Sequence, residues 1–227
     1  ADESELLGIF FAEMQRLDPD VIIGWNFIQF DMDFIQTQFA TSASTLSECP
    51  ADSSAEVAFA GRSNAGKSSA INCLCSQSSL ARTSKTPGRT QLINFFSIEP
   101  AKYLVDLPGY GFAKVPLKVK HKWQNELEKY LSAREPLVGL ILLTDIRHPL
   151  KEHDLVMVDW AVQSSLPLHL LLTKCDKLKK GAAKNTLLKV RERTEIFPKV
   201  SAQLFSSLKS TGVKDVKELI SNWLTSS

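Results

Sequence analysis

Long apolar runs are missing from this chain of 227 residues, and so is a basic start. Its hydrophobic stretches fall short of the roughly 20 residues that a membrane-spanning helix needs. Residues 1–5 are acidic, whereas a signal peptide opens with basic residues. We therefore expect a cytoplasmic protein that has no membrane partner.

Cysteine is scarce, and its four occurrences lack the paired spacing of a zinc site or of a secreted disulfide framework. Cys49, Cys73, Cys75 and Cys175 are therefore expected to be reduced thiols. No internal repeat is visible, and the 44% hydrophobic and 23% charged residues are typical of a globular protein. The length suits one α/β domain with a short appendage, and we expect a monomer.

The formal net charge of +2 conceals an uneven distribution. Residues 1–33 hold eight acids and one base, a balance of −7. The other residues hold 26 bases and 17 acids, a balance of +9. An excess of that size favours an RNA or ribosome partner, although a solvated lysine-rich surface gives the same pattern.

One segment has the pattern G-x-x-x-x-G-K-S, in which backbone N–H groups curl around phosphates. An apolar run at 57–60 precedes it and a helical pattern at 67–75 follows it, as a phosphate-binding loop requires. Lys67 is expected to reach the outer phosphates, and the Ser68 hydroxyl is expected to bind Mg²⁺. The predicted phosphate-binding residues are Gly61, Arg62, Ser63, Asn64, Ala65, Gly66, Lys67, Ser68 and Ser69.

A second segment, Thr173-Lys174-Cys175-Asp176, can select the base. The Asp176 carboxylate can accept two hydrogen bonds from the N1–H and the exocyclic amine of guanine, a pattern that adenine cannot offer. Phe205, Ser206 and Ser207 end the last predicted strand, where a serine backbone N–H can donate to guanine O6. Together with the phosphate-binding loop, these segments predict binding of GTP and GDP.

A GTPase also needs a loop that senses the γ-phosphate and a carboxylate on the metal side. In the loop, Thr90 is the candidate second Mg²⁺ ligand and Thr86 is its rival. Asp106 would support the ion through water, and Gly109 would direct its N–H at the γ-phosphate. These two segments comprise Gly88, Arg89, Thr90, Gln91 and Leu92, followed by Asp106, Leu107, Pro108 and Gly109. The candidate catalytic residues are Lys67, Thr90 and Gly109, and the candidate metal ligands are Ser68, Thr90 and Asp106.

From residue 56 onward, short apolar runs alternate with amphipathic stretches, which is typical of a mostly parallel sheet with helices on both faces. Predicted strands cover 57–60, 92–98, 103–105, 137–144, 166–172 and 200–205, and predicted helices cover 67–75, 117–134, 151–163, 179–195 and 213–224. With the motifs above, the pattern predicts an α/β fold of the P-loop NTPase class, Ras-like GTPase type, with six strands. Residues 40–55 are small and polar, so 34–55 is predicted to be a connector and 56–227 the GTPase domain.

Tyr110 follows Gly109, so the glutamine that positions water in Ras-like enzymes is missing. Slow intrinsic hydrolysis of GTP to GDP and phosphate is therefore predicted. Asn64 offers a compensation, because in related P-loop GTPases an asparagine at this position helps to hold K⁺ beside the phosphates. The alternative is that Asn64 only shapes the loop.

With these pieces in order, residues from about 34 to the C-terminus resemble the EngB (YihA/YsxC) family of bacterial ribosome-biogenesis GTPases. The segments that carry the resemblance are 56–69, 80–94, 105–111 and 145–150. The resemblance implies a switch that acts on a large ribosomal subunit precursor and its rRNA, with a link to cell division and septation. From the residues alone, a P-loop ATPase or small-molecule kinase stays open, as does an RNA-binding module with GTP as effector.

Residues 1–33 do not fit that family. Residues 17–31 resemble the second exonuclease motif of family B DNA polymerases, in which Asp31 would bind a catalytic metal. The other carboxylates of that two-metal site are absent from the sequence, so we expect a fragment without exonuclease activity. It is either a gene-fusion or assembly artefact, or a short helix-plus-strand extension that packs somewhere on the protein.

Overall fold

The computed structural model describes residues 34, 36–81, 92–110 and 127–226. Its strands form one sheet in the order β1-β3-β4-β2-β5-β6-β7. They are β1 (Gln38–Ala43), β2 (Ala55–Gly61), β3 (Ile93–Glu99), β4 (Lys102–Asp106), β5 (Leu137–Asp145), β6 (Leu168–Thr173) and β7 (Val200–Leu204). The described helices include α1 (Lys67–Leu74), α2 (Glu152–Gln163), α3 (Lys180–Thr194) and α4 (Val213–Thr225), and residues 127–133 are also helical. Among these described residues, no helix combines the length and the apolar character needed to cross a membrane.

Most of the sheet is parallel. Strand β2 pairs in parallel with β4 and β5, and the parallel pairing continues from β5 to β6 and from β6 to β7. Strands β3 and β4 form an antiparallel pair. The predicted α/β class, with a mostly parallel sheet, is confirmed.

Within the described residues, the sheet has seven strands rather than the predicted six. The added strand is β1, which pairs antiparallel with β3 and places Gln38 opposite Ser97. Residues 38–43 fall within the predicted connector, yet they belong to the same sheet as the phosphate-binding loop. As an edge strand, β1 has its first three residues exposed, so it lacks the continuous apolar run by which a central strand is recognised.

Each face of the sheet carries its own hydrophobic core, because successive side chains of a strand point to opposite faces. On β2, Ala58 and Ala60 join the core that includes Val158 of α2. Val57 and Phe59 join the other core, which includes side chains of α1 and α4. The helices therefore cover both faces, as predicted.

A buried charged cluster lies at the start of β2, at the end opposite to the phosphate-binding loop. The Glu56 side chain is fully buried. It accepts a 2.6 Å hydrogen bond from the Tyr130 hydroxyl and forms an ion pair with Arg134. Arg134 Nε lies 3.0 Å from Glu56 Oε1, and its Nη2 donates to the Pro50 carbonyl at 2.6 Å. The cluster fixes the segment before β2 against helical residues 127–133.

The four cysteines are free thiols, as predicted. Burial raises the pKa of Cys49 and of Cys75 to about 11. Both thiols are therefore protonated at neutral pH and behave as small apolar side chains.

His169 on β6 makes the stability of the fold depend on pH. Its ring nitrogens lie 2.7 Å from Ser201 Oγ and 2.9 Å from Gln203 Oε1, both on β7. Burial lowers the pKa of His169 from 6.5 to about 4. The unfolded chain therefore binds a proton at a higher pH than the folded chain does. We expect the free energy of unfolding to fall by about 3 kcal/mol as the pH drops through this window.

Urea denaturation across that pH range measures the effect. His169→Asn should remove this part of the pH dependence, whereas the matched change at exposed His153 should leave it in place. An identical pH slope in the wild type and in His169→Asn would contradict the assignment.

Candidate nucleotide-binding site

The phosphate-binding loop connects β2 to α1, as the sequence predicts. Asn64 and Gly66 have φ angles of 63° and 98°, in the left-handed region that glycine and asparagine adopt most readily. Gly66 directly precedes α1. The first N–H groups of a helix have no partner within the helix, so the start of α1 can bind an anion held by this loop.

Gly61 has a packing role in addition to its predicted place in the loop. A Cβ at this position would lie 2.9 Å from the carbonyl oxygen of Leu143 on β5. That distance is too short for a real contact, and the atom opposite is rigid backbone. Gly61 is therefore required where β2 and β5 approach each other before the loop begins.

Lys67 and Asp106, the predicted phosphate-side lysine and metal-side carboxylate, lie together at the carboxyl edge of the sheet. Pairing of Phe59 with Asp106 brings the end of β4 beside the loop. The Lys67 ammonium forms an ion pair with Asp106 Oδ1, and the two side chains are 12% and 9% exposed. Ser68 follows Lys67 on α1. A hydroxyl and a carboxylate are oxygen donors of the kind that Mg²⁺ prefers.

No cluster of three or more His, Cys, Asp and Glu side chains suited to a metal lies among the described residues. Mg²⁺ commonly takes one or two protein ligands and completes its shell with phosphate oxygens and water. The predicted arrangement, with Ser68 as a direct ligand and Asp106 acting through water, is of that kind.

The segment from Asp106 to Gly109 continues β4 alongside the loop. Its Leu107 N–H donates to the Phe59 carbonyl at 3.0 Å. A Cβ on Gly109 would lie 3.5 Å from the Ser63 nitrogen, an ordinary contact. The predicted γ-phosphate donor is thus held next to the phosphate-binding loop.

Thr173 and Lys174 support the phosphate-binding loop through hydrogen bonds to its backbone carbonyls. The Thr173 hydroxyl donates to the Ala65 carbonyl at 2.6 Å. The Lys174 ammonium donates to the Asn64 carbonyl at 2.7 Å and to Asp145 Oδ2 at 3.0 Å. These two residues were predicted from the base-selecting motif, and the structure adds their support of the loop backbone.

Asp145 is a residue of this region that sequence reasoning did not assign to the site. Its Oδ2 accepts a 2.6 Å hydrogen bond from Arg147 Nη2 and a 3.0 Å hydrogen bond from the Lys174 ammonium. The Arg147 guanidinium and then Lys174 hold the pKa of Asp145 well below its usual range. Asp145 therefore stays ionised and fixes the ammonium that supports Asn64. Its place in the 145–150 segment was the signal in the sequence.

The Asp176 carboxylate is a charged hydrogen-bond acceptor. The Ser206 hydroxyl donates to Asp176 Oδ1 at 2.6 Å, and this hydrogen bond is the main cause that lowers the pKa of Asp176. The carboxylate is therefore ionised at neutral pH. The Ser206 N–H donates to the Thr211 carbonyl at 3.1 Å, which leaves Ser207 as the better candidate to meet guanine O6. The Cys175 N–H donates to the Phe205 carbonyl at 3.2 Å and joins the two base-side segments.

Several predicted residues lie outside the described part of the chain. These are Gly88, Arg89, Thr90 and Gln91 of the γ-phosphate loop, together with Thr86. Leu92, the last residue assigned to that loop, is described, is exposed and directly precedes β3. Residues 1–33 also lie outside, and so does the first part of the predicted helix 117–134. The assignments of Thr90 to metal and to catalysis stay predictions.

Two family models match the chain. The model described as 50S ribosome-binding GTPase matches residues 56–174, about half of the chain. The model of the family B DNA polymerase exonuclease domain matches residues 1–92. Their overlap covers 56–92, and the structure places β2, the phosphate-binding loop and α1 there. That part of the overlap therefore has the architecture of a GTPase.

A Vibrio parahaemolyticus protein described as "Probable GTP-binding protein EngB" is 56% identical over 188 residues, which are 82% of this chain and 86% of that protein. A crystal structure described as that of "a probable GTP-binding protein engB" has a TM-score of 0.62 at 22% identity, covering 76% of this chain and all of that one. Era in complex with MgGDPNP and 16S ribosomal RNA nucleotides has a TM-score of 0.58 at 22% identity, covering 75% and 56%. The two solved structures show that the fold is shared, whereas the 56% identity to the Vibrio parahaemolyticus protein also shows the family. At that identity over most of both proteins, the chain belongs to the EngB family of GTP-binding proteins and is a GTPase.

Proposed function

We propose that this GTPase is a cytoplasmic switch that assists assembly of the large ribosomal subunit and thereby supports cell division and septation. The observation that carries the proposal is the match of residues 56–174 to the family described as 50S ribosome-binding GTPase. A switch of this type is ordered by GTP and relaxes after hydrolysis. The GTPase acts as a monomer. Its partner is a precursor of the large subunit, including the rRNA of that precursor.

The nucleotide roles follow from the arrangement of the site. The loop from Gly61 to Ser69 surrounds the phosphates, and Asp176 with Ser207 reads guanine. Lys67 exchanges its contact with Asp106 for the outer phosphates. Mg²⁺, held by Ser68, Thr90 and Asp106, would neutralise charge on the β- and γ-phosphate oxygens.

Hydrolysis is proposed to be slow without help, because the buried Tyr110 stands where Ras-like enzymes carry glutamine. Asn64 is the proposed K⁺ ligand beside the phosphates. Its left-handed φ of 63° also suits the alternative, an asparagine that shapes the loop. GTP turnover in KCl and in NaCl at matched ionic strength separates the two roles, and equal rates would reject K⁺.

One basic surface supports an RNA partner. Residues 177–199, which include α3, hold eight bases and two acids, a balance of +6. The other described residues hold 11 bases and 14 acids, a balance of −3. The basic excess of the described chain therefore lies entirely in this segment, which begins directly after Asp176. Lys180, Lys184 and Lys189 are exposed on α3 and can contact phosphates.

We expect the protein to cosediment with large-subunit particles more strongly with a non-hydrolysable GTP analogue than with GDP. Combined Lys180→Glu, Lys184→Glu and Lys189→Glu should weaken this association by at least about tenfold and flatten its salt dependence. Affinity for GTP should not change, because none of the three side chains belongs to the nucleotide site.

The control is Lys102→Glu, at the first residue of β4, where Lys102 pairs with Glu99. It reverses one charge on a different part of the sheet and should retain particle binding. Nucleotide-independent sedimentation would argue for an RNA-binding module instead of a switch. No sedimentation in any nucleotide state would reject the ribosomal role and leave the GTPase assignment intact.

A further inference from the structure

Tyr110 is attached to the phosphate-binding loop by both of its backbone groups. Its N–H donates to the Gly61 carbonyl at 3.4 Å, and its carbonyl accepts from the Ser63 N–H at 3.1 Å. Arg62 and Tyr110 thereby form an isolated parallel bridge. The residue directly after Gly109 is thus joined to the loop that holds the phosphates.

The side chain of Tyr110 is buried and points away from solvent. Its hydroxyl donates to Asp154 Oδ1 at 2.8 Å. Burial, and then the charge of Asp154, raise the pKa of Tyr110 far above its usual value, so the phenol remains a hydrogen-bond donor. It cannot turn toward the nucleotide to orient water without breaking this bond.

Asp154 is itself fixed by donors from several elements. It is fully buried in the first turn of α2. Its second oxygen accepts from the Thr144 hydroxyl on β5 at 3.1 Å and from the Lys151 N–H at 3.1 Å. Together with Tyr110, the described residues give this carboxylate three donors, and a buried acceptor satisfied in this way is rigid.

Gly109 is therefore held from both sides. Before it, Leu107 is bonded to the Phe59 carbonyl, and the ring of Pro108 restricts the backbone. After it, Tyr110 is bonded to Gly61, Ser63 and Asp154. We propose that the hydrogen bond from Tyr110 to Asp154 holds the Gly109 N–H where it meets the γ-phosphate, which makes Tyr110 and Asp154 positioning residues for GTP over GDP. This inference rests on the proposed function of Gly109 as the γ-phosphate donor.

Tyr110→Phe in the full chain tests it, because the change removes one hydroxyl and keeps the ring. Affinities for a non-hydrolysable GTP analogue and for GDP are measured by competition with a fluorescent nucleotide. We expect affinity for the GTP analogue to fall about fivefold to tenfold and affinity for GDP to stay within about twofold, since GDP has no γ-phosphate to meet Gly109.

The chain offers a matched control in Tyr130→Phe. The Tyr130 hydroxyl also donates to a fully buried carboxylate, Glu56, at 2.6 Å, but at the opposite end of β2. Both variants should lower the thermal midpoint. Only Tyr110→Phe should change the ratio of the two affinities, because a loss of stability alone does not distinguish GTP from GDP.

A ratio that is the same in Tyr110→Phe, Tyr130→Phe and the wild type would overturn the positioning role. If Tyr110→Phe fails to fold, Asp154→Ala replaces it, because alanine has no oxygen to accept from the Tyr110 hydroxyl. The expected shift and the overturning result are the same. If the wild type binds GDP but its affinity for the GTP analogue is no higher, the proposed role of Gly109 is wrong, and so is this inference. The two failures are distinguishable because the second one is seen without any variant.

Discussion

Replacing Asp176 with asparagine is expected to lower the affinity for GTP by about 100-fold to 1000-fold and to raise the affinity for xanthosine triphosphate. The ionised carboxylate, held by the Ser206 hydroxyl at 2.6 Å, can accept two hydrogen bonds from guanine. Each bond to a charged acceptor contributes about 1.5–3 kcal/mol, and an unpaired guanine donor adds to the loss. Asparagine can instead accept from N1–H and donate to the O2 oxygen of xanthine. Competition binding with GTP, xanthosine triphosphate and ATP measures the change.

Asp159→Asn is the control for this experiment, since Asp159 is exposed on α2 and the chemical change is the same. It should bind GTP like the wild type. Unchanged GTP affinity in Asp176→Asn would reject the base-reading role. Strong competition by ATP against the wild type would favour the P-loop ATPase or kinase alternative.

Arg134→Met is expected to reduce the free energy of unfolding by about 3–5 kcal/mol, which is a large part of the stability of a domain of this size. The substitution leaves the Glu56 carboxylate fully buried with Tyr130 as its remaining hydrogen-bond donor among the described partners. It also removes the bond from Arg134 to the Pro50 carbonyl. Urea denaturation at neutral pH measures the loss.

The comparison is with Arg147→Met, which removes another arginine that pairs with a carboxylate. The Arg147 side chain is 46% exposed, so solvent screens its pair with Asp145 and the loss of stability is expected to be small. The double change Arg134→Met with Glu56→Met should recover part of the loss, because no buried charge is left unpaired. Similar losses in Arg134→Met and Arg147→Met would contradict the role assigned to burial.

Residues of the nucleotide site could be predicted from short segments of the sequence. The phosphate-binding loop and the segments ending in Gly109 and Asp176 were identified because phosphate and guanine chemistry requires certain residue types at fixed short spacings. The central strands could be predicted because a strand that is buried on both faces has a continuous apolar run in its sequence. Strand β1 was missed because an edge strand with exposed residues has no such run.

The contacts that hold the site in place were decided by tertiary structure. Thr173 supports the Ala65 carbonyl across 108 positions of the chain, and Tyr110 meets Asp154 across 44. No periodicity or spacing encodes such pairs, because each depends on which strand ends meet at one edge of the sheet. The sequence predicted an α/β frame that carries a guanine-nucleotide site, and the residues alone left an ATPase or kinase open. Only the fold decided that the tyrosine in place of the usual glutamine is buried against a carboxylate, since burial depends on what surrounds a side chain rather than on its neighbours in sequence.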